Sequence, residues 1–147
     1  MDSVVLSTLL YSAAGAAAYG LVGLVLLAAG YWVIDLLTPG KLHHVIWAER
    51  NHGAVLVLGA SILAMALIVR AAILASASVL WLGLVTTLIY GLIGLLLMAV
   101  SFFLMDLLAP GKLGELIVDN DHKMHPAVWV TAATHLAVGI VVAAAIA

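Results

Sequence analysis

The chain has 147 residues, of which 67% are hydrophobic and 8% charged, with a formal net charge of −2 and a mean hydropathy of +1.31. Five basic and seven acidic side chains cannot coat a 15.2 kDa water-soluble fold, so the composition excludes a soluble globular domain and calls for a lipid-facing surface. No basic stripe is available for nucleic acid, and the absence of cysteine removes disulfides and thiolate chemistry.

The first segment, MDSVVLSTLLYSAAGAAAYG, carries small residues resembling a signal-peptidase site, but its only charge is Asp2 and no lysine or arginine precedes the apolar run. It reads as an uncleaved first membrane helix. A crossing of about 30 Å of hydrocarbon needs roughly 20 apolar residues. Four such runs occur, at residues 10–36, 53–75, 79–107 and 126–146. The first and third exceed a perpendicular crossing, so they should tilt or emerge into the headgroups. Pro39 and Pro110, each followed by glycine (Gly40 and Gly111), should stop the first and third helices. Ser76-Ala77-Ser78 is the only break between the second and third, which requires a tight antiparallel hairpin.

Tyr19–Leu42 (YGLVGLVLLAAGYWVIDLLTPGKL) aligns with Tyr90–Leu113 (YGLIGLLLMAVSFFLMDLLAPGKL), mostly by identity or apolar exchange. The chain is therefore a duplication, with His52-Gly53-Ala54-Val55 matching His125-Pro126-Ala127-Val128 once the second loop is allowed two extra residues. The expected fold is all-α and integral to the membrane, a single domain of four transmembrane helices in two tandem two-helix repeats, residues 10–75 and 79–147. Two crossings per unit make the repeats parallel, related by a pseudo-two-fold axis along the membrane normal. Lys41, Arg50, Lys112 and Lys123 lie in the two PGK loops and only Arg70 lies toward the other side, so the positive-inside bias puts the loops in the cytoplasm and both termini outside. Small residues at four-residue spacing, Ala16 and Gly20, then Gly83, Thr87 and Gly91, are candidate helix-packing seams. Tyr19 and Tyr90, at one repeat position, read either as seam residues with a hydroxyl partner or as lipid-facing aromatics.

Polar residues gather near the loops. Asp35 and Asp106 share a repeat position one turn before the PGK turn. Each could pair with Lys41, Lys112, a loop amide or a histidine, or the two could line a vestibule for cations or protons. Five of six histidines fall in or beside the loops: His43, His44, His52, His122 and His125. Glu49 and His52 form Glu-x-x-His and His122 and His125 form His-x-x-His, and residues three apart on a helix share a face. Together they are candidate ligands for a divalent transition metal, with Asp119, Asp121, Asp35 or Asp106 available to complete the set; otherwise they are solvated loop residues and helix caps. His135 lies inside the fourth span. It reads as a neutral side chain bonded to Thr131, backbone or a tyrosine, or as part of a proton path. Haem between helices wants a second histidine at matching depth, and the aligned position holds Ile62, so haem is disfavoured. The apolar residues Leu42, Val45 and Ile46, and Leu113, Leu116 and Ile117, predict short amphipathic helices on the cytoplasmic leaflet, with Trp47 at headgroup depth. No phosphate-binding loop, nucleophile elbow or zinc-protease motif is present.

The duplicated two-span unit, the Asp-Leu-Leu-x-Pro turn and Asn51-His52-Gly53-Ala54 at the second span resemble the YjfL-like family of bacterial inner-membrane proteins, domain of unknown function 350. The PGK turn and the ending HPAVWVTAATHLAVGI resemble its actinobacterial members. At His52 the chain departs from the small or hydroxyl residue common in the family, which confines any metal role to a subfamily. The resemblance implies a four-span inner-membrane protein, sometimes near envelope-stress and polyamine-related genes, with no established activity to transfer. Three functions follow as expectations: a non-enzymatic oligomeric or partner-docking subunit in envelope maintenance, with the bilayer and a second copy or membrane protein as partners; a cation or proton channel or transporter using Asp35, Asp106 and His135; or a metal or redox protein using Glu49, His52, His122 and His125.

Overall fold

The computed structural model describes residues 3–38, 40–109, 111–118 and 124–147. Six helices follow one another: α1 (Ser3–Leu37), α2 (Leu42–Trp47), α3 (His52–Leu74), α4 (Leu80–Leu108), α5 (Leu113–Val118) and α6 (Pro126–Ile146). Helices α1, α3, α4 and α6 are long and apolar enough to cross a membrane, and α2 and α5 sit in the two loops. The expected spans match, except that α1 begins at Ser3 rather than near residue 10. In its first turns Ser7 and Thr8 satisfy their hydroxyl protons on the Val4 carbonyl. At 1.5 Å per residue α1 extends about 52 Å, well beyond the hydrocarbon thickness.

Local chemistry sets the helix ends. Thr38 closes α1 by giving both its amide and hydroxyl protons to the Ile34 carbonyl, and Gly40 then turns the chain at φ +86°. The last residue ahead of the second PGK proline, Ala109, takes an extended conformation (φ −74°, ψ 146°), as a residue preceding proline prefers. Pro39 and Pro110, the expected stops, lie outside the described residues. Asn51 caps α3 through the Ala54 amide, while His125 caps α6 through the Ala127 amide with Pro126 in the first turn.

Each repeat packs its own pair, α1 on α3 and α4 on α6, while α3 and α6 form the most extensive contact and run side by side in the same direction. Helix α3 is the central element, with half of its most apolar stretch buried. Gly139 on α6 lies against Ala64 on α3 so closely that a Cβ would overlap it, and Gly94 on α4 receives Ile68 in the same way. In lipid, where apolar burial gives helices no preference for one another, such close approach supplies much of the association. Buried residues of α6 fall one position later than the His52/His125 alignment. Val128, Thr131, His135, Gly139 and Val142 take the places of Ala54, Val57, Ser61, Met65 and Ile68. The buried counterpart of His135 is thus Ser61, not Ile62, which is exposed.

The expectation for α2 and α5 needs correction. Both form with the expected apolar faces, but Leu42, Val45, Leu113 and Ile117 are buried in a cluster with Ile34, Val57, Phe102 and Val128. Their apolar faces close the loop end of the bundle instead of lying on the leaflet. Trp47 remains exposed. The pseudo-symmetry is also incomplete: α4 packs on α3, but among the described residues α1 and α6 make no comparable contact.

Candidate functional site

Asp35 and Asp106 perform one identical task. Asp35 Oδ1 accepts the Leu42 amide proton at 2.7 Å, and Asp106 Oδ1 accepts that of Leu113, also at 2.7 Å. Each carboxylate sits two residues before its helix ends and meets the first amide of the short helix that follows, where four N–H groups lack intrahelical acceptors. Of the partners considered, the structure selects the loop amide. Lys112 pairs instead with Glu115 at 3.5 Å across an exposed surface.

Asn51 links the two repeats. Its Oδ1 accepts from Ala54 N (2.8 Å) and its Nδ2 donates to the Val118 carbonyl at the end of α5 (2.9 Å). Beside it, Gly53 brings the α3 backbone against the Ile117 carbonyl, where a Cβ would not fit. The side chain of Asn51 is buried, so both ends of its amide are used where water cannot substitute.

The described loop histidines do not converge. His44 Nδ1 lies 2.9 Å from Glu49 Oε1 on the surface, His43 and His52 are exposed, and His125 Nδ1 accepts from Ala127 N at 3.2 Å as a helix cap. His122, Lys123, Asp119 and Asp121 lie outside the described residues. Among the described residues, no group of three histidine or acidic side chains could hold a metal ion. Arg70 is exposed toward the hairpin end.

Within the bundle, His135 is 1% exposed and its Nδ1 lies 2.5 Å from Ser61 Oγ on α3. Ser61 directs its only proton to the Val57 carbonyl (2.7 Å), so the histidine is the donor through Nδ1–H and the serine the acceptor. That choice of tautomer leaves Nε2 as a bare lone pair, and Nε2 is buried with no hydrogen-bond partner in the structure. Phe102 covers one side, with ring centroids 5.8 Å apart and planes tilted by 53°. Thr131, the expected partner, bonds to Ala127 O instead. Ser61 escaped the sequence reading because a lone serine in an apolar helix carries no signal. The one-residue register change between α3 and α6 is what brings it to His135.

On the hairpin side, Gly83, Thr87 and Gly91 form the expected seam. Gly83 accommodates the Tyr19 hydroxyl, which bonds to Ser76 Oγ at 3.0 Å; Thr87 is wholly buried against the Ala72 carbonyl; Gly91 receives Leu26. Tyr19 is thus a seam residue. Its counterpart Tyr90 is exposed, as are Ala16 and Gly20, the counterparts of Thr87 and Gly91.

Fold and site together define a multi-pass, all-α membrane protein in which Asp35 and Asp106 each bond the first amide of a loop helix. The chain belongs to the family described as Domain of Unknown Function (DUF350), which matches residues 5–146. It is 38% identical over 146 residues to a UPF0719 transmembrane protein of Mycolicibacterium paratuberculosis, covering 99% of this chain and 95% of that one. UPF0719 transmembrane proteins of Mycobacterium bovis and Mycobacterium tuberculosis are each 34% identical over 144 residues, covering 98% of this chain and 93% of theirs. No solved structure matches the chain.

Proposed function

We propose that the protein is a non-enzymatic subunit of the bacterial inner membrane that assembles with further copies of itself, or docks a membrane partner, in envelope maintenance. One observation carries this reading. The duplication supplies two small-residue seams and two sets of side chains to fill them, and the folded chain uses one of each. Gly83 and Gly91 hold Tyr19 and Leu26, and Thr87 between them meets the Ala72 carbonyl, whereas Ser12, Ala16 and Gly20 face outward, as do Tyr90 and Leu97. A second copy offering Tyr90 and Leu97 to the open seam would repeat a contact that the chain already makes internally. In this reading the two repeats, residues 10–75 and 79–147, form one membrane domain, with the PGK loops in the cytoplasm and both termini outside.

The absence of native cysteine makes the test direct. Gly20→Cys and Leu97→Cys variants, co-expressed and oxidised in native membranes, should crosslink into a dimer. Gly20→Leu should abolish copurification of differently tagged copies without unfolding the chain, since a Cβ at Gly20 meets nothing within 4 Å. Recovery of the protein always alone would refute both forms of the reading. Crosslinking to another membrane protein would favour partner docking over self-assembly, and unchanged envelope-stress tolerance in a deletion strain would remove the envelope role.

A second reading, as a proton or cation pathway, is favoured by the bare Nε2 of His135 at the centre of the bundle. Asp35 and Asp106 would serve it from the loop end. Proteoliposomes should then show a flux that vanishes in His135→Leu and falls in Asp35→Asn plus Asp106→Asn. Absence of flux for protons and common cations would refute it.

A further inference from the structure

At the loop end of α3, a cavity of about 590 Å³ opens between the α2 terminus and the outer face of α3. Its mouth carries Arg50 and His52, its rim Trp47, and its floor Val55, Gly59 and Ile62. Positions 52 to 62 advance about 15 Å along a helix, half the hydrocarbon thickness and thus the depth of one leaflet. The groove is charged where headgroups lie and apolar where acyl chains lie. Gly59 keeps it open, because its missing side chain leaves free space within 4 Å.

Arg50 is the unusual member. Its φ is +54°, the left-handed region, and it is the only non-glycine described residue there. Glycine or asparagine would adopt that geometry with less strain. Arg50 is also exposed and makes no ion pair among the described residues, whereas the neighbouring Glu49 lies beside His44. The turn therefore presents a cation over the groove, next to the electropositive N-terminus of α3.

We propose that this groove seats an anionic phospholipid, its phosphate held by Arg50 and His52 and one acyl chain lying along Val55, Gly59 and Ile62. Charge complementarity selects the headgroup, and the apolar floor distinguishes a lipid from a soluble phosphate. One cation near a membrane surface gives a preference of about fivefold for an anionic over a zwitterionic lipid.

The full-length protein, purified in detergent and presented with equal phosphatidylglycerol and phosphatidylcholine, should retain phosphatidylglycerol about fivefold more by native mass spectrometry. Arg50→Asn should bring that ratio to near one without lowering the melting temperature, because asparagine tolerates the left-handed backbone. Gly59→Phe should reduce retention of both lipids by filling the floor. Equal retention by the unaltered protein would overturn the proposal, as would a preference that survives Arg50→Asn. Thermal protection by inorganic phosphate equal to that by phosphatidylglycerol would also overturn it, since the site would then read a free anion.

Discussion

Replacing Ser61 with alanine tests the buried bond at the centre of the bundle. In the native chain His135 donates through Nδ1 while Nε2 has no partner, so Ser61→Ala leaves both imidazole nitrogens unsatisfied in an apolar interior. A buried polar group stranded in this way costs about 1–3 kcal/mol. Interhelical hydrogen bonds in membranes average about 0.6 kcal/mol and reach about 1.7, because the separated helices find other partners. The upper part of the membrane range applies here, and Ser61→Ala should destabilise the bundle by about 1.5 kcal/mol. The reverse truncation should cost much less. His135→Leu leaves Ser61 still donating to Val57 O and removes a half-satisfied ring, while losing a Phe102 contact worth about 0.5–1 kcal/mol. In the double variant, serine no longer has a histidine to satisfy, so Ser61→Ala should add little to His135→Leu. Reversible unfolding in mixed micelles, followed by circular dichroism, measures all three. If Ser61→Ala costs the same with and without His135, or if His135→Leu is the more damaging change, the Ser61–His135 bond does not stabilise the bundle.

Further outcomes follow from the same geometry. Asp35→Ala and Asp106→Ala should each lower stability by about 1 kcal/mol, with Asp35→Asn and Asp106→Asn retaining most of it because an amide oxygen can still accept; thermal melts should give matching losses for the two repeats. Gly139→Leu should cost more than about 3 kcal/mol by forcing α6 away from Ala64, whereas Gly59→Leu should stay within about 0.5 kcal/mol; unfolding midpoints compare the two. Asn51→Ala removes a helix cap and an inter-repeat bond together, so it should cost about 2 kcal/mol and speed amide exchange in α5 and at the start of α3.

The four crossings and the duplication were legible because each is written locally: an apolar run of sufficient length and a repeated string. The Asp35 and Asp106 roles were legible as a position and a short choice of partners, since a carboxylate so near a helix end can reach only a few groups. What escaped depends on how faces meet. Periodicity identifies Leu42, Val45 and Ile46 as one face of α2, but nothing in it says whether that face meets lipid or the bundle. Likewise, the aligned strings pair His135 with Ile62, whereas packing advances α6 by one residue and brings in Ser61. A three-residue difference between the loops was compatible with the sequence, but only the packed faces of α3 and α6, with Ser61 meeting His135, select it.

A duplicated chain contains its own control. Where both copies make the same contact, as at the two aspartates, the contact belongs to the folding of the unit. Where they differ, the folded chain has left one copy's capacity unused. Gly83, Thr87 and Gly91 are needed internally, because side chains there would collide with Tyr19, Leu26 or the backbone near Ala72. Ser12, Ala16 and Gly20 have no such duty within the chain, and larger apolar residues would suit a purely lipid-facing surface as well and favour the helix over glycine. The same comparison applies to Tyr90 and Leu97, which lie open where Tyr19 and Leu26 are engaged. In the proposed assembly, this exposed seam and these exposed side chains would meet as their counterparts do within the chain. If substitutions of Gly20 and Leu97 abolish association between copies while leaving the melting temperature unchanged, the unmatched half of the duplication is the part of the molecule that works on a second one.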